Sequence, residues 1–188
     1  LAAYHLLLAH GQAVPVIKAN APDAKVGIVI NLSDTMPASD APGDIAGYHI
    51  FDGVLNRWML DPLFGRHYPA DVVNYYAEKG YLPAKELDFV QDGDMQAIAV
   101  PLDYLGINYY SRAVVTGKLN EKGHLESFGF DKPAQSEYTD YQWEVYPHGL
   151  QEILTRVYST YRPKEIYVTE NGAAYNETPD AEGKVHDQ

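Results

Sequence analysis

The stretch "YVTENG", Tyr167 to Gly172, decides how the rest of the chain is read. Ile166 to Glu170 has the make-up of a buried strand, yet it ends on a carboxylate and breaks at Asn171-Gly172. Burying an unpaired carboxylate costs on the order of several kcal/mol. Such a cost is tolerated mainly where the charge is used. Asn-Gly is also a hairpin turn signal, and a glutamate before it can be a solvated strand end. The six residues alone leave both readings open, so the surroundings must choose.

Working back from that strand, Leu150, Ile153, Leu154, Val157, Tyr158 and Tyr161 follow the i, i+3, i+4, i+7 stripe of an amphipathic helix ended by Arg162-Pro163. Tyr104 to Tyr110 ("YLGINYY") reads as another strand, and Val26 to Ile30 ("VGIVI") as a strand buried on both faces, as in a parallel sheet. A helix is expected over Leu1 to Ala19, with Pro15 inside its pattern as a kink or an early end. No capping residue precedes that pattern, which puts the helix's true start upstream of residue 1. Asp40 as cap and Pro42 in the first turn open a long helix through Val54, Leu55, Trp58 and Met59. Another runs from Pro69-Ala70-Asp71 to Gly80, with one more short helical turn at Leu87 to Val90. Asn120 to Asp140 reads as a long polar loop, and Asn176 to Gln188 as a polar tail without a core pattern.

Alternating strands and helices predict parallel βαβ units with right-handed crossovers, hence an α/β fold over residues 1–188 without a second domain. Three strands cannot close a barrel and leave two open edges, so the chain reads as a slice of something larger. The net charge of −12 argues against a phosphate backbone as partner. No apolar run nears the roughly 20 residues that span a bilayer, and the N-terminus lacks the basic start and cleavage site of a signal peptide. There is no cysteine, which excludes disulfides and thiolate metal sites and leans the localisation to the cytoplasm. Sixteen tyrosines serve equally as core residues or as the mouth of a sugar-binding cleft.

If the strands are parallel and belong to a barrel, catalytic groups gather at their C-terminal ends. Those ends carry Asn31, then Asn108, Tyr109 and Tyr110, then Glu170 and Asn171. One carboxylate among amides and a phenol suits a nucleophile oriented by hydrogen bonds and a polyhydroxylated substrate. A tyrosine hydroxyl donating to Glu170 would keep it ionised.

"LGINYYSR" (Leu105 to Arg112) and "YVTENGAAY" (Tyr167 to Tyr175) resemble glycoside hydrolase family 1, the β-glucosidase family. So do "YHLLLAHGQAV", "VGIVINLS", "NRWMLDPLF", "YPADVV" and "WEVYPHGL", in the same order along essentially the whole chain. The resemblance implies an incomplete (β/α)8 TIM barrel, about three parallel strands with flanking helices, running from the fourth helix to the loop after the seventh strand. It implies retaining hydrolysis of β-glucosides or cello-oligosaccharides without cofactor or metal. Glu170 would be the nucleophile, with Tyr110 orienting it. Asn108 would line the same subsite, Trp143 would be an aromatic platform beside the leaving-group sugar, and Asn31 an aglycone-side position. Trp143 can also be read as a loop anchor and Tyr109 as core.

The family's acid/base glutamate, in an Asn-Glu-Pro motif, has no counterpart here. Asp103 lies before its strand and Glu144 on a loop beside Trp143, and neither position suits protonation of a leaving group. "TENGAAY" resembles members acting on unphosphorylated β-glucosides. The chain alone is therefore expected to be inactive. The other reading is a non-catalytic fragment that forms a homo-oligomer or completes a barrel with a complementary chain.

Overall fold

The computed structural model describes residues 1–83 and 87–185. In chain order the elements are α1 (Ala2–Asn20), β1 (Gly27–Asn31), β2 (Thr35–Pro37), α2 (Pro42–Asp52), a π-helical turn (Gly53–Arg57), α3 (Trp58–Leu63), α4 (Ala70–Glu78), α5 (Asp94–Ile98), β3 (Tyr104–Asn108), β4 (Ala113–Leu119), β5 (Leu125–Asp131), α6 (Pro147–Tyr161) and β6 (Ile166–Glu170). The three strands expected from the sequence form one parallel sheet in the order β1-β3-β6.

Alternation along these strands sorts the side chains onto two faces. Ile30 and Leu32 join Leu105, Ile107 and Tyr109 in a core closed by Leu7 of α1, Leu60 of α3, Ile98 of α5, and Ile153 and Val157 of α6. The opposite face, with Val29, Asn31 and Tyr167, is open. Tyr109 is core, as read, and its hydroxyl donates to the Tyr146 carbonyl at 3.0 Å.

Several local readings change. Asn120 to Asp140 is not one loop: it contains β5, which pairs antiparallel with β4, while β4 pairs in parallel with β2. This second sheet packs on α2, where Phe51 meets Phe128 and Phe130 at ring separations of 5.8 and 4.8 Å. Asp40 does not cap α2. The cap position is Ala41, whose N–H donates to Ser39 Oγ at 3.2 Å, and Ser39 Oγ donates to Asp44 at 2.6 Å. Pro15 neither ends α1 nor stops it short, and the helix runs on to Asn20. The long helix after Pro42 is broken by the π-helical turn, and Leu87 to Val90 is a turn closed by Val90 N–H to the Leu87 carbonyl at 3.0 Å. No described helix is long and apolar enough to cross a membrane.

Candidate active site

Parallel pairing puts the three strand ends in one row. Asn31 stands opposite Asn108, and Asn108 opposite Glu170. The second match needs an irregularity. Ile107 pairs with Val168, but Asn108 pairs with Glu170, so Thr169 is the extra residue of a bulge. Bulges of this kind re-aim side chains at a sheet end. Two bonds lock it: Tyr109 N–H donates to the Glu170 carbonyl at 3.0 Å, and Asn171 Nδ2 donates to the Tyr109 carbonyl at 2.7 Å. Asn-Gly here ends a parallel strand; it does not turn a hairpin.

The Tyr110 hydroxyl donates to Glu170 Oε2, and that bond to a carboxylate raises the phenol's pKa above its ordinary value. Glu170 itself is exposed. Asn108 is almost buried, and Thr169 Oγ1 donates to its Oδ1 at 2.6 Å. Trp143 packs against Tyr110 and Tyr141 in tilted contacts, with ring centroids 5.0 and 5.7 Å away. Trp143 keeps 37% of its surface exposed. Glu170, Tyr110, Asn108 and Trp143 therefore converge, and Asn31 lies exposed at the β1 end of the same row.

A cleft of about 310 Å³ opens beside Tyr110, between Thr139, Tyr146 and Asn171. The segment carrying Trp143 is held by Glu144, which accepts two bonds from the Arg112 guanidinium at 2.6 and 2.7 Å and one from Ser136 Oγ at 2.5 Å. Arg112 also lies 3.7 Å over the Tyr146 ring. The guanidinium holds the Glu144 carboxyl below its usual range. Glu144 is thus spent on an ion pair, and a charge-assisted bidentate pair is a poor proton donor. Asp103 lies before β3, where its carboxylate accepts from Val26 N–H at 2.8 Å and pairs with Lys18 at 2.6 Å. It is at the far end of the sheet from Glu170.

Behind the row, Asp34 is buried with one carboxylate oxygen unpartnered. Burial and the facing Glu152 carboxyl push its pKa up to about 6, against the pull of Arg112 and Arg156. Arg156 in turn bonds Asp52 at 2.7 Å, beside Asn56 and Arg57. The sequence reading placed Asn171 at the strand end but gave no role to Thr169 or Arg112. Each lies within a quoted motif, but only the bulge and the loop contacts show what it holds. Among the described residues no group of three or more His, Asp and Glu is placed to hold a metal ion.

The sequence pattern described as glycosyl hydrolase family 1 matches residues 1–188. The chain is 35% identical to Beta-glucosidase A of Thermotoga maritima, covering all of this chain and 40% of that protein. It superimposes on a β-glucosidase of Exiguobacterium marinum with a TM-score of 0.85 at 34% identity, covering 98% of this chain and 40% of the other. A β-glucosidase of Thermotoga maritima solved with castanospermine gives a TM-score of 0.81 at 34% identity, over 100% and 39%. The chain spans about 40% of the length of these relatives, and its open three-stranded parallel sheet is a partial version of their TIM barrel. On the match over its full length, the chain belongs to glycosyl hydrolase family 1.

Proposed function

We propose that this chain is the nucleophile-bearing segment of a retaining β-glycosidase acting on terminal, unphosphorylated β-glucosides. The observation that carries the reading is the Glu170 carboxylate at the C-terminal edge of a parallel sheet, bonded by the Tyr110 phenol beside Asn108 and Trp143. Glu170 attacks the anomeric carbon while the bond to the leaving oxygen breaks, giving a glycosyl ester that water then hydrolyses. Tyr110 holds one carboxylate oxygen and leaves the other to attack. Trp143 offers its face to the leaving-group sugar, and Asn31 extends the polar row toward that side.

Protonating the leaving oxygen takes a second carboxyl about 5–5.5 Å from the first. Glu144 is committed to Arg112 and Asp103 to the other end of the sheet, and with no Asn-Glu-Pro motif in the sequence we assign that acid to a part of the barrel outside these residues. The 188-residue chain alone is accordingly inactive, since losing general acid help costs about 10²–10⁴-fold. Its open sheet face and exposed Leu6, Val16 and Val168 favour association with a complementary chain or with itself.

In the complete protein, Glu170→Ala abolishes hydrolysis of aryl β-glucosides. Azide restores turnover with a product of inverted anomeric configuration. A rescued product of retained configuration would remove Glu170 from the nucleophile's role. For the isolated chain, light scattering is expected to give assemblies, and an assay at high protein concentration is expected to give no turnover. A monomer with the complete protein's rate would mean that a second catalytic carboxyl lies within these residues.

A further inference from the structure

We propose that Thr169 is a positioning residue, fixing the Asn108 side-chain amide so that its NH2 and not its carbonyl faces the substrate; this rests on the proposed place of Asn108 in the sugar site. An asparagine amide has two ends of nearly equal shape and opposite polarity. Which end faces the cleft decides whether the site offers a donor or an acceptor.

The Thr169–Asn108 contact is 2.6 Å. In that contact the threonine Oγ1 faces the amide oxygen, which has no hydrogen to give. The threonine hydroxyl therefore meets the amide oxygen as donor. Among the described residues no acceptor takes a bond from Asn108 Nδ2, so the amide's two donors are free at the strand end while its oxygen is occupied. The arrangement selects acceptor atoms on the ligand, such as the oxygens of a sugar's hydroxyl groups.

The bulge makes this possible. Because Asn108 pairs with Glu170, Thr169 is freed from the ladder register and turns its hydroxyl across to β3. Gly106 completes the arrangement. A Cβ there would stand 2.7 Å from Val29 Cγ2 and 3.1 Å from Thr169 Cγ2, so a larger residue would clash with Val29 first and press on the threonine as well.

Two conservative variants separate hydroxyl from shape. Thr169→Val keeps the branched outline and loses the donor, and Thr169→Ser keeps the donor and loses the methyl. The first readout is independent of catalysis. In the complete protein labelled with 15N-asparagine, the Asn108 side-chain peaks are identified by their loss in Asn108→Asp. They move in Thr169→Val and stay in place in Thr169→Ser. If Thr169→Val does not fold, Thr169→Ala is read by the same peaks. The second readout is kcat/KM of the complete protein on an aryl β-glucoside, which falls about tenfold in Thr169→Val and stays within about threefold in Thr169→Ser. Unmoved peaks in Thr169→Val overturn the proposal. So do moved peaks with unchanged turnover, or a serine variant worse than the valine variant. A complete wild-type protein without glucosidase activity would refute the proposed function, and the amide peaks would still decide whether Thr169 orients Asn108.

Discussion

Glu144→Ala removes one half of an ion pair that has little water to fall back on. The Arg112 and Glu144 side chains keep only 11% and 5% of their surface exposed. Breaking a buried pair by deleting one partner costs about 3–5 kcal/mol, because the other charge stays behind uncompensated. An exposed pair would cost about 0–1 kcal/mol. Arg112 keeps the Tyr146 ring at 3.7 Å and the nearby Asp34, which places the expected loss at about 3 kcal/mol, the low end of that range. The damage should be local as well as global, because Ser136 loses its acceptor in the same step and Trp143 is the next residue to Glu144. Denaturant unfolding measures the first effect. The second is read from fluorescence in a Trp58→Phe background, where Trp143 is the remaining tryptophan. Its emission should shift to the red and become easier to quench. Replacing both partners by apolar residues of similar size should recover most of the stability. The sign with pH follows from the lowered Glu144 value. The pair's contribution is complete above the ordinary glutamate value of 4.5 and is lost as pH falls through the lower folded value. A Glu144→Ala protein within about 0.5 kcal/mol of wild type, with unchanged Trp143 emission, would refute this account of the loop.

Gly149→Ala should destabilise the chain by about 1–3 kcal/mol in denaturant unfolding, because its Cβ would stand 2.1 Å from the Tyr109 hydroxyl and force it off the Tyr146 carbonyl. An unchanged midpoint would mean that Tyr109 is not held as described. Asp34 gives the opposite pH trend to Glu144. Its value of about 6 lies above the ordinary 3.8, so its contribution is full below about pH 3.8 and declines as pH rises through about 6. Glu152→Gln removes the facing charge, and melting curves should show a gain of about 1 kcal/mol near neutral pH and almost none near pH 4. Parallel curves for the two proteins across that range would contradict the pairing of these carboxyls.

The main sheet was legible because its strands carry their own signals. "VGIVI", "YLGINYY" and "IYVTE" are short apolar runs bounded by breakers, and the motifs at their ends aligned the site before any contact was known. The second sheet was not legible. Along β5 the apolar Phe128 and Phe130 are separated by Gly129 and preceded by Glu126 and Ser127, so alternation is too brief to stand out from a polar loop. The turn before it is made by Asn120, whose side-chain oxygen accepts from the N–H groups of Lys122 and His124 at 2.9 and 3.0 Å. Such an Asx turn looks the same in sequence whether strands flank it or not. At the site, Glu170 and Tyr110 were legible as residue types at strand ends. Thr169 was not, since its role depends on a register shift that periodicity does not encode.

The central claim is that Glu170 forms a bond to the sugar. A 2-deoxy-2-fluoro-β-glucosyl fluoride tests it most directly. Fluorine at C2 slows the breakdown of the glycosyl ester, and fluoride leaves without acid help, so the adduct accumulates on the nucleophile alone. After treatment of the complete protein, peptide mass spectrometry should find one fluoroglucosyl group on the peptide containing Tyr167 to Gly172, bonded to Glu170. An adduct on any other carboxylate, or inactivation with Glu170 unmodified, would contradict the account.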